Sequence, residues 1–366
     1  MNKLTITAAA LAVGLLVQTP GFAQTATIDS TNTNAATTSD PESVARENWR
    51  SLMRQNPAPA EGCFHASYPN IVWESVECKV AQPRFHPVHS KRQDAMADVT
   101  GSGNDYVAES QGLIGSALGY FQTSGVTSET GVGVAANNNE GFLGPNEYTL
   151  QINTNSLQFT AACAGNSGGG CTVWQQFIYS SDYSGDGVGA VYMQYWLLGW
   201  GSSTCPSGYK HSGSNCWKNS PTVAVPKLPI TDLGSMSLAA KVTAGGNDVV
   251  TFNYGDEAYV VTAKDSVLDI ATVWDQAEFN VVGNGGGSQA DFNPGSSLTV
   301  YLFVGDGTYS APFCFGNDGT TGESNNLYLG GCQPSVFLEP FIQFTESLPR
   351  VYIPILPPIG PIGRLE

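Results

Sequence analysis

The stretch Trp274-Asp-Gln-Ala-Glu-Phe-Asn-Val-Val282 decides the fold class of this chain. Successive side chains of a strand point to opposite faces of the sheet, so Ala277 and Phe279 share one face. Glu278 and Asn280 share the other. One face is apolar and the other polar, which is typical of an antiparallel strand with one face on a core.

Similar short segments recur between turns rich in Gly, Asn and Asp, and strands at such regular spacing favour two antiparallel sheets packed as a sandwich. The sequence therefore predicts an all-β protein with two short helices, over 46–55 and Asp265–Asp275. The strands predicted are Tyr148–Asn153, Thr172–Tyr179, Ala190–Leu198, Asp248–Asn253, Ala258–Ala263, Glu278–Val282 and Leu298–Val304.

Charge divides the chain at Lys91-Arg92. Residues 1–92 carry 8 basic and 7 acidic side chains, and the 7 basic and 24 acidic ones that follow give net charges of +1 and −17. An acidic body repels phosphate, which argues against a nucleic-acid partner. The division predicts a detachable basic leader on an acidic body.

The chain then divides into four predicted segments. Residues 1–23 have the charge, apolar run and small-residue end of a secretory signal peptide. Residues 24–92 are predicted as a flexible linker and basic pro-segment with a small disulfide-stapled element, 93–348 as the catalytic or binding domain, and 349–366 as a Pro-rich tail. We expect a secreted monomer, extracellular or periplasmic, with no membrane contact after signal removal.

Eight cysteines fall into neighbours along the chain, and an even number in an exported protein indicates disulfides rather than a metal site. Local pairing is the simplest of the possible connectivities. The predicted bonds are Cys63–Cys78, Cys163–Cys171, Cys205–Cys216 and Cys314–Cys332.

Other catalytic motifs are weak. Ser167 lies in a Gly-rich string like that of serine peptidases, but His211 is the only histidine after residue 93, and it lies in a small predicted disulfide loop. A serine triad is therefore disfavoured. The acidic turns around Asp182 and Asp318 lack the full run of ligands that calcium needs.

Once these motifs are set aside, Glu278 is the remaining candidate carboxylate. It lies on the polar face of a strand whose other face is apolar. Two upstream aromatic strands carry amides, Gln175 and Gln176 in the first and Gln194 in the second. Together these side chains are those of a peptide or sugar cleft. The alternatives are an ordinary sandwich face with scattered polar residues, or a non-catalytic module that binds glycans or a protein partner.

The segment Ala277-Glu278-Phe279-Asn280-Val281 is similar to Ala-Glu-Trp-Ile-Val of the eqolisin family of glutamic peptidases, and more distantly the chain resembles neprosin-type ones. Trp174-Gln175-Gln176 resembles the strand that supplies the family's catalytic glutamine. Gln194-Tyr195-Trp196 resembles the aromatic strand that follows it. The strand order also agrees, over roughly 104–304.

The resemblance implies a concanavalin A-like β-sandwich (jelly roll), an acid-acting endopeptidase with a polypeptide substrate, and no metal. The basic leader predicts an intramolecular pro-segment, and we expect no cofactor. It implies that Glu278 activates water and that a glutamine stabilises the oxyanion. Gln175 and Gln176 point to opposite faces, and we favour Gln175 slightly because it directly follows a bulky residue. The substrate-binding residues implied are Trp174, Gln194, Trp196 and Asn280.

Overall fold

The computed structural model describes residues 40–80, 86–87, 99–101, 103–133, 141–166, 169–201, 204–337 and 339–350. The predicted signal peptide, the Lys91-Arg92 pair and nearly all of the Pro-rich tail lie outside these ranges. Among the described residues, no helix is long and apolar enough to cross a membrane.

Strands dominate the described residues and belong to two large sheets, which confirms the predicted all-β class. The seven strands predicted from sequence are all present, each extended by one to three residues in total. The strands are β1 Gly62–Ser67, β2 Glu74–Val76, β3 Val99–Gly101, β4 Tyr106–Glu109, β5 Ser116–Ser124, β6 Glu129–Val132, β7 Gly144–Pro145, β8 Tyr148–Thr154, β9 Thr172–Ser180, β10 Val188–Leu198, β11 Lys210–Ser212, β12 Asn215–Asn219, β13 Val223–Pro226, β14 Met236–Lys241, β15 Asn247–Tyr254, β16 Glu257–Lys264, β17 Gln276–Gly283, β18 Gln289–Phe292, β19 Ser297–Gly305, β20 Phe313–Gly316, β21 Ser324–Phe337 and β22 Glu339–Ser347.

Counted over the described ranges, the larger sheet has 13 strands in the order β2-β1-β16-β15-β14-β5-β19-β22-β21-β18-β6-β7, with β3 beside β21. The smaller sheet has 9 in the same ranges, in the order β11-β12-β10-β9-β8-β17-β4-β20, with β13 beside β10. Of these described strands, neighbours are antiparallel except β18 and β21, which pair in parallel. The smaller sheet brings β17 and the two amide-bearing strands β9 and β10 together.

The helical predictions are partly corrected. Helix α1 spans Pro41–Gln55, so it begins earlier than expected and includes residues assigned to the flexible linker. The expected helix over Asp265–Asp275 is two separate 3-10 turns, Asp265–Val267 and Ile270–Thr272. Asp269 between them has φ 54°, a left-handed conformation that no regular helix continues through.

The core lies between the two sheets. The ring centroids of Phe279 on β17 and Phe121 on β5 are 4.8 Å apart, and those of Tyr179 on β9 and Phe252 on β15 are 4.2 Å apart. Gly119 on β5 makes room for Phe279, because a Cβ at this glycine would lie 2.2 Å from the ring. Close packing against backbone thus fixes which face of β17 points inward, and Glu278 points outward.

The stapled element of the predicted pro-segment is the edge of the larger sheet. Strand β1 pairs with β16 over six residue pairs, and Trp49 and Met53 of α1 are buried against this part of the sheet. Arg46 of α1 bonds to Asp256, and Arg50 donates to the Gly255 carbonyl. An element too small for its own core is therefore stabilised by packing on the sandwich.

All four predicted disulfides are present. Cys314–Cys332 joins β20 of the smaller sheet to β21 of the larger one. The loop between these two strands reaches the outward face of β17, so this bond holds both ends of a segment that covers Glu278.

Candidate active site

A row of polar side chains crosses the outward face of the smaller sheet. The pairing register places Glu278 opposite Asn153, Asn153 opposite Gln176, Gln176 opposite Gln194 and Gln194 opposite Asn219. We call these five residues the polar row. All but Asn219 are buried. Five strands thus contribute one polar side chain each at the same level of the sheet.

The alternation of each strand creates this arrangement. Next to the polar row, Phe279, Ile152 and Phe177 point to the opposite face and belong to the core. Because side chains alternate with a period of two, the aromatic and aliphatic residues that build the sandwich leave their polar neighbours on its outer face. Packing therefore positions the site.

The two adjacent glutamines have different surroundings. Gln176 lies in the polar row, whereas Gln175 points between the sheets and donates to Asp248 on β15 at 2.8 Å. The slight preference for Gln175 as the glutamine that faces Glu278 is thus wrong. The bulky residue before it, Trp174, lies on the outward face, so the Gln175 side chain points inward. Gln176 shares its face with Glu278.

Amide hydrogen bonds connect Gln176 to Glu278. The Gln176 Nε2 donates to Gln151 Oε1 at 3.0 Å, and Asn153 Nδ2 lies 3.4 Å from both Gln151 Oε1 and Glu278 Oε2. Trp196 Nε1 donates to Gln176 Oε1 at 3.1 Å. Strands lie about 4.8 Å apart, so the backbones under Gln176 and Glu278 are roughly 10 Å apart with Asn153 between them.

One oxygen of Glu278 is held and the other is not. Thr320 donates to Oε2 through its backbone N–H at 2.7 Å and its hydroxyl at 2.9 Å. Within the part of the chain that the structure describes, no N–H or hydroxyl group donates to Oε1, and the carboxyl groups of Glu278 and Asp105 are hydrogen-bonded to each other. The loop approaches closely because residue 319 is glycine: a Cβ there would lie 3.1 Å from Oε1.

A second carboxyl group that the sequence did not indicate lies near Glu278. Burial raises the pKa of Glu278, and the hydrogen bonds from Thr320 act in the opposite direction. The pKa of Asp105 is raised well above its usual range by burial and then by the charges of Glu278 and Glu346. Neighbouring buried carboxyls hold a proton between them more tightly than isolated ones.

The other predicted binding residues share this outward face. Trp174 and Trp196 are fully buried, with ring centroids 6.0 Å apart, so in this form they are not an exposed stacking surface for sugars. Asn280 donates to Asp105 at 3.0 Å and lies 3.4 Å from Glu346. Asn280 therefore belongs to a group formed with the carboxyl groups of Asp105 and Glu346, next to Glu278.

His86 and Pro87, from the predicted pro-segment, cover the face on the side of Gln194. The backbone N–H of His86 donates to Gln194 Oε1 at 2.7 Å, and Gly322 N–H donates to the Pro87 carbonyl at 2.8 Å. The His86 side chain is fully buried. A piece of polypeptide thus lies against the polar row.

Several residues of the site were not found from the sequence. Asn153 and Gln151 could have been, since the predicted strand Tyr148–Asn153 alternates polar and apolar residues. Asp105, Thr320 and His86 carry no comparable signal, because loops bring them to the face from distant parts of the chain.

No family model matches the chain, and neither does any curated protein. Among solved structures, the chain is similar to scytalido-glutamic peptidase bound to a transition state analog inhibitor, at 9% identity over 69% of this chain and 98% of that one, with a TM-score of 0.28. It is also similar to SCP-B, a member of the Eqolisin family of peptidases in complex with the tripeptide Ala-Ile-His, at 12% identity over 69% and 98%, with a TM-score of 0.26. Both neighbours are peptidases, but similarity this low does not establish a shared site.

Proposed function

We propose that this protein is a secreted, acid-acting endopeptidase in which Glu278 and Gln176 act on a peptide bond and its attacking water. The observation that carries the proposal is the polar row. It holds a buried carboxyl with one oxygen that receives no N–H or hydroxyl donor and, two strands away, a buried amide. Against the same row lies a segment of polypeptide bound through its own backbone.

The reaction needs one base and one oxyanion donor. Glu278 Oε1 takes a proton from water as the water oxygen bonds to the scissile carbonyl carbon. Gln176 Nε2 donates to the oxygen on which negative charge develops. The C–N bond then breaks as Glu278 returns the proton to the leaving nitrogen, which yields an acid and an amine and restores the carboxylate.

The surroundings of Glu278 suit both halves of this cycle. Burial raises its pKa, which makes the protonated form a usable acid, while the bonds from Thr320 favour the carboxylate that acts as base. Asn153 lies between the two catalytic side chains and bonds to Glu278. We assign it a positioning role.

Export and synthesis as a pro-enzyme are parts of the same proposal. They rest on the signal-like residues 1–23 and on the position of His86 and Pro87, which come from the predicted pro-segment of residues 24–92 and lie where a substrate would bind. In this form the site is covered, so we propose that the covering segment leaves before a substrate enters.

The test is hydrolysis of a denatured protein by the purified mature chain, after the covering segment has left, between about pH 2 and 6, where a carboxylate base is usable. We expect cleavage that persists with pepstatin and with a chelator. Replacing Glu278 by Gln should lower the rate roughly 10²–10⁴-fold while the chain stays folded. A chain that cleaves nothing in this range, or a Glu278→Gln variant as active as the parent, would disprove the peptidase function.

Asp105 supports one other candidate, a glycoside hydrolase, because that chemistry needs two carboxyl groups near one bond. Its distinguishing result is release of reducing sugar from polysaccharides, lost in both Glu278→Gln and Asp105→Asn. Peptide cleavage without sugar release excludes it.

A further inference from the structure

The side chain of His86 fills a closed pocket on the outward face of the smaller sheet. Its Nε2 is 2.7 Å from the Tyr192 hydroxyl, and its Nδ1 is 3.2 Å from Glu323 Oε1 and from Gln151 Nε2. Glu323 and Tyr192 are fully buried. The pocket thus places a polar partner at each nitrogen of an imidazole ring.

Each ring nitrogen of His86 has a partner in either tautomer. The Gln151 Nε2 donates one hydrogen to Thr149 at 2.9 Å, and its second hydrogen can be donated to an Nδ1 without a proton. An N–H at Nδ1 is instead accepted by the Glu323 carboxylate. The Tyr192 hydroxyl, which both donates and accepts, satisfies Nε2 in both cases.

The pocket adjoins the proposed catalytic amide. Gln151 accepts from Gln176 at 3.0 Å and contacts the His86 ring with its other amide atom. Gln194 accepts the His86 backbone N–H and stands opposite Gln176 in the strand register. A substrate residue that bound in the same way as His86 would therefore lie directly beside the proposed site of reaction.

We propose that this pocket, lined by Gln151, Tyr192, Gln194 and Glu323, is a substrate subsite selective for histidine, and that His86 is its internal occupant. This inference rests on the proposed function and names a preference of the same site. Upstream of His86, the Lys79 backbone pairs with Thr222 in an isolated bridge.

Other side chains fit this chemistry less well. A phenylalanine ring removes one donor from Glu323, which keeps those of Gly287 and Thr321, and leaves the Tyr192 hydroxyl without a ring nitrogen. A glutamine amide lacks the two nitrogens on opposite sides of a rigid ring that meet Glu323 and Tyr192. A site built to bond a polar group discriminates strongly against analogues that lack it, because its own buried groups are left unpaired. We expect histidine to be preferred at least about 10-fold.

The binding test uses the full chain with His86→Ala, which removes the internal occupant. The probes are acetyl-His-Pro-amide, acetyl-Gln-Pro-amide and acetyl-Phe-Pro-amide, measured by calorimetry. The His peptide should bind at least about 10-fold more tightly than the others, and Glu323→Gln in the same background should abolish the difference. Equal affinities, or no binding of the His peptide, would overturn the subsite.

His65→Ala is the matched control. His65 also lies in the predicted pro-segment, but it pairs with Glu257 on the larger sheet. The pocket stays filled in this variant, so it should bind the His peptide no better than the parent does. Binding to both variants alike would mean that the peptide does not report on the pocket.

A second measurement does not depend on the folding of His86→Ala. A peptide library digested by the mature chain, after the covering segment with His86 has left, should show histidine enriched at least about 10-fold at one fixed position from the cleaved bond, with less enrichment for Glu323→Gln. Cleavage without enrichment would overturn the subsite and keep the peptidase. Absence of cleavage would count against the proposed function, while the calorimetry would still decide the pocket.

Discussion

Gln175 and Gln176 are neighbours, both fully buried, and each accompanies a buried carboxyl, yet the two pairs differ in how the amide meets the carboxyl. The inner pair, Gln175 and Asp248, is in direct contact at 2.8 Å between the sheets. The outer pair, Gln176 and Glu278, stands on strands separated by β8 and is linked through Asn153 and Gln151. The inner carboxyl is already bonded to its amide, whereas the two outer side chains do not bond to each other directly.

The covers of the two pairs differ as well. The inner pair lies under core strands of both sheets, which cannot move apart without unfolding. The outer pair lies under loop residues, Thr320 on one side and His86 with Pro87 on the other. Burial by a loop is reversible at lower cost than burial by a core. The inner pair therefore serves as a comparison for the outer one: a change to the inner pair should affect stability, and a change to the outer pair should affect activity.

The largest expected difference between the pairs is in catalysis. Gln176→Ala removes the proposed oxyanion donor and should lower kcat about 10²–10³-fold with little change in KM. Gln175→Ala removes the partner of Asp248 and should lower the free energy of unfolding by about 1–3 kcal/mol. Steady-state kinetics and denaturant titration at one acid pH measure both.

The two variants share residue type and strand and differ in the face they alter. If Gln175→Ala lost activity as strongly as Gln176→Ala while folded, the assignment of the oxyanion donor would be wrong. Equal and small effects on kcat would mean that neither amide takes part in the reaction.

The next difference concerns stability and pH. Burial raises the pKa of Asp248 to about 8, and the negative charge of Asp265 contributes in the same direction. Burial also raises the pKa of Glu129 to about 8. Below about pH 4 both states of the protein hold these protons. As pH rises toward 8, the unfolded chain ionises first, so stability falls by about 1.4 kcal/mol per pH unit for each group.

Asp248→Asn should remove one group's share of that slope and leave activity intact, since an amide oxygen still accepts from Gln175. Urea titrations at several pH values between 4 and 8 measure the slope. An unchanged slope would show that Asp248 does not carry a raised pKa in the folded protein.

The sequence predicted the outer face of β17 because the alternation of residues 274–282 reports directly on the sheet. It also predicted every disulfide, since near neighbours along the chain are easily brought together. It could not decide between Gln175 and Gln176. Both faces of β9 carry an aromatic residue, Trp174 on the face of Gln176 and Phe177 on the face of Gln175, so alternation alone does not show which face points outward.

Loop contacts were beyond the sequence for a different reason. Asp105 and Thr320 reach Glu278 through chain separations of 173 and 42 residues, and neither lies in a periodic segment that specifies a face. His86 was assigned to a leader by charge alone. Its ring enters a pocket formed by three other segments of the chain. A pattern within one segment cannot predict such long-range contacts.

The smallest expected effect sharpens the same comparison through Thr320, for which the inner pair has no counterpart. Thr320→Val keeps the backbone N–H bond to Glu278 Oε2 and removes the hydroxyl bond of 2.9 Å. A hydrogen bond to a carboxylate favours the charged form, so its loss should raise the pKa of Glu278 further. The pH at which activity rises should move up by about 1 pH unit, while the maximal rate changes less. If the acid side of the pH–activity profile does not move, a group other than Glu278 sets the pH dependence. Asp248 is not altered by this substitution.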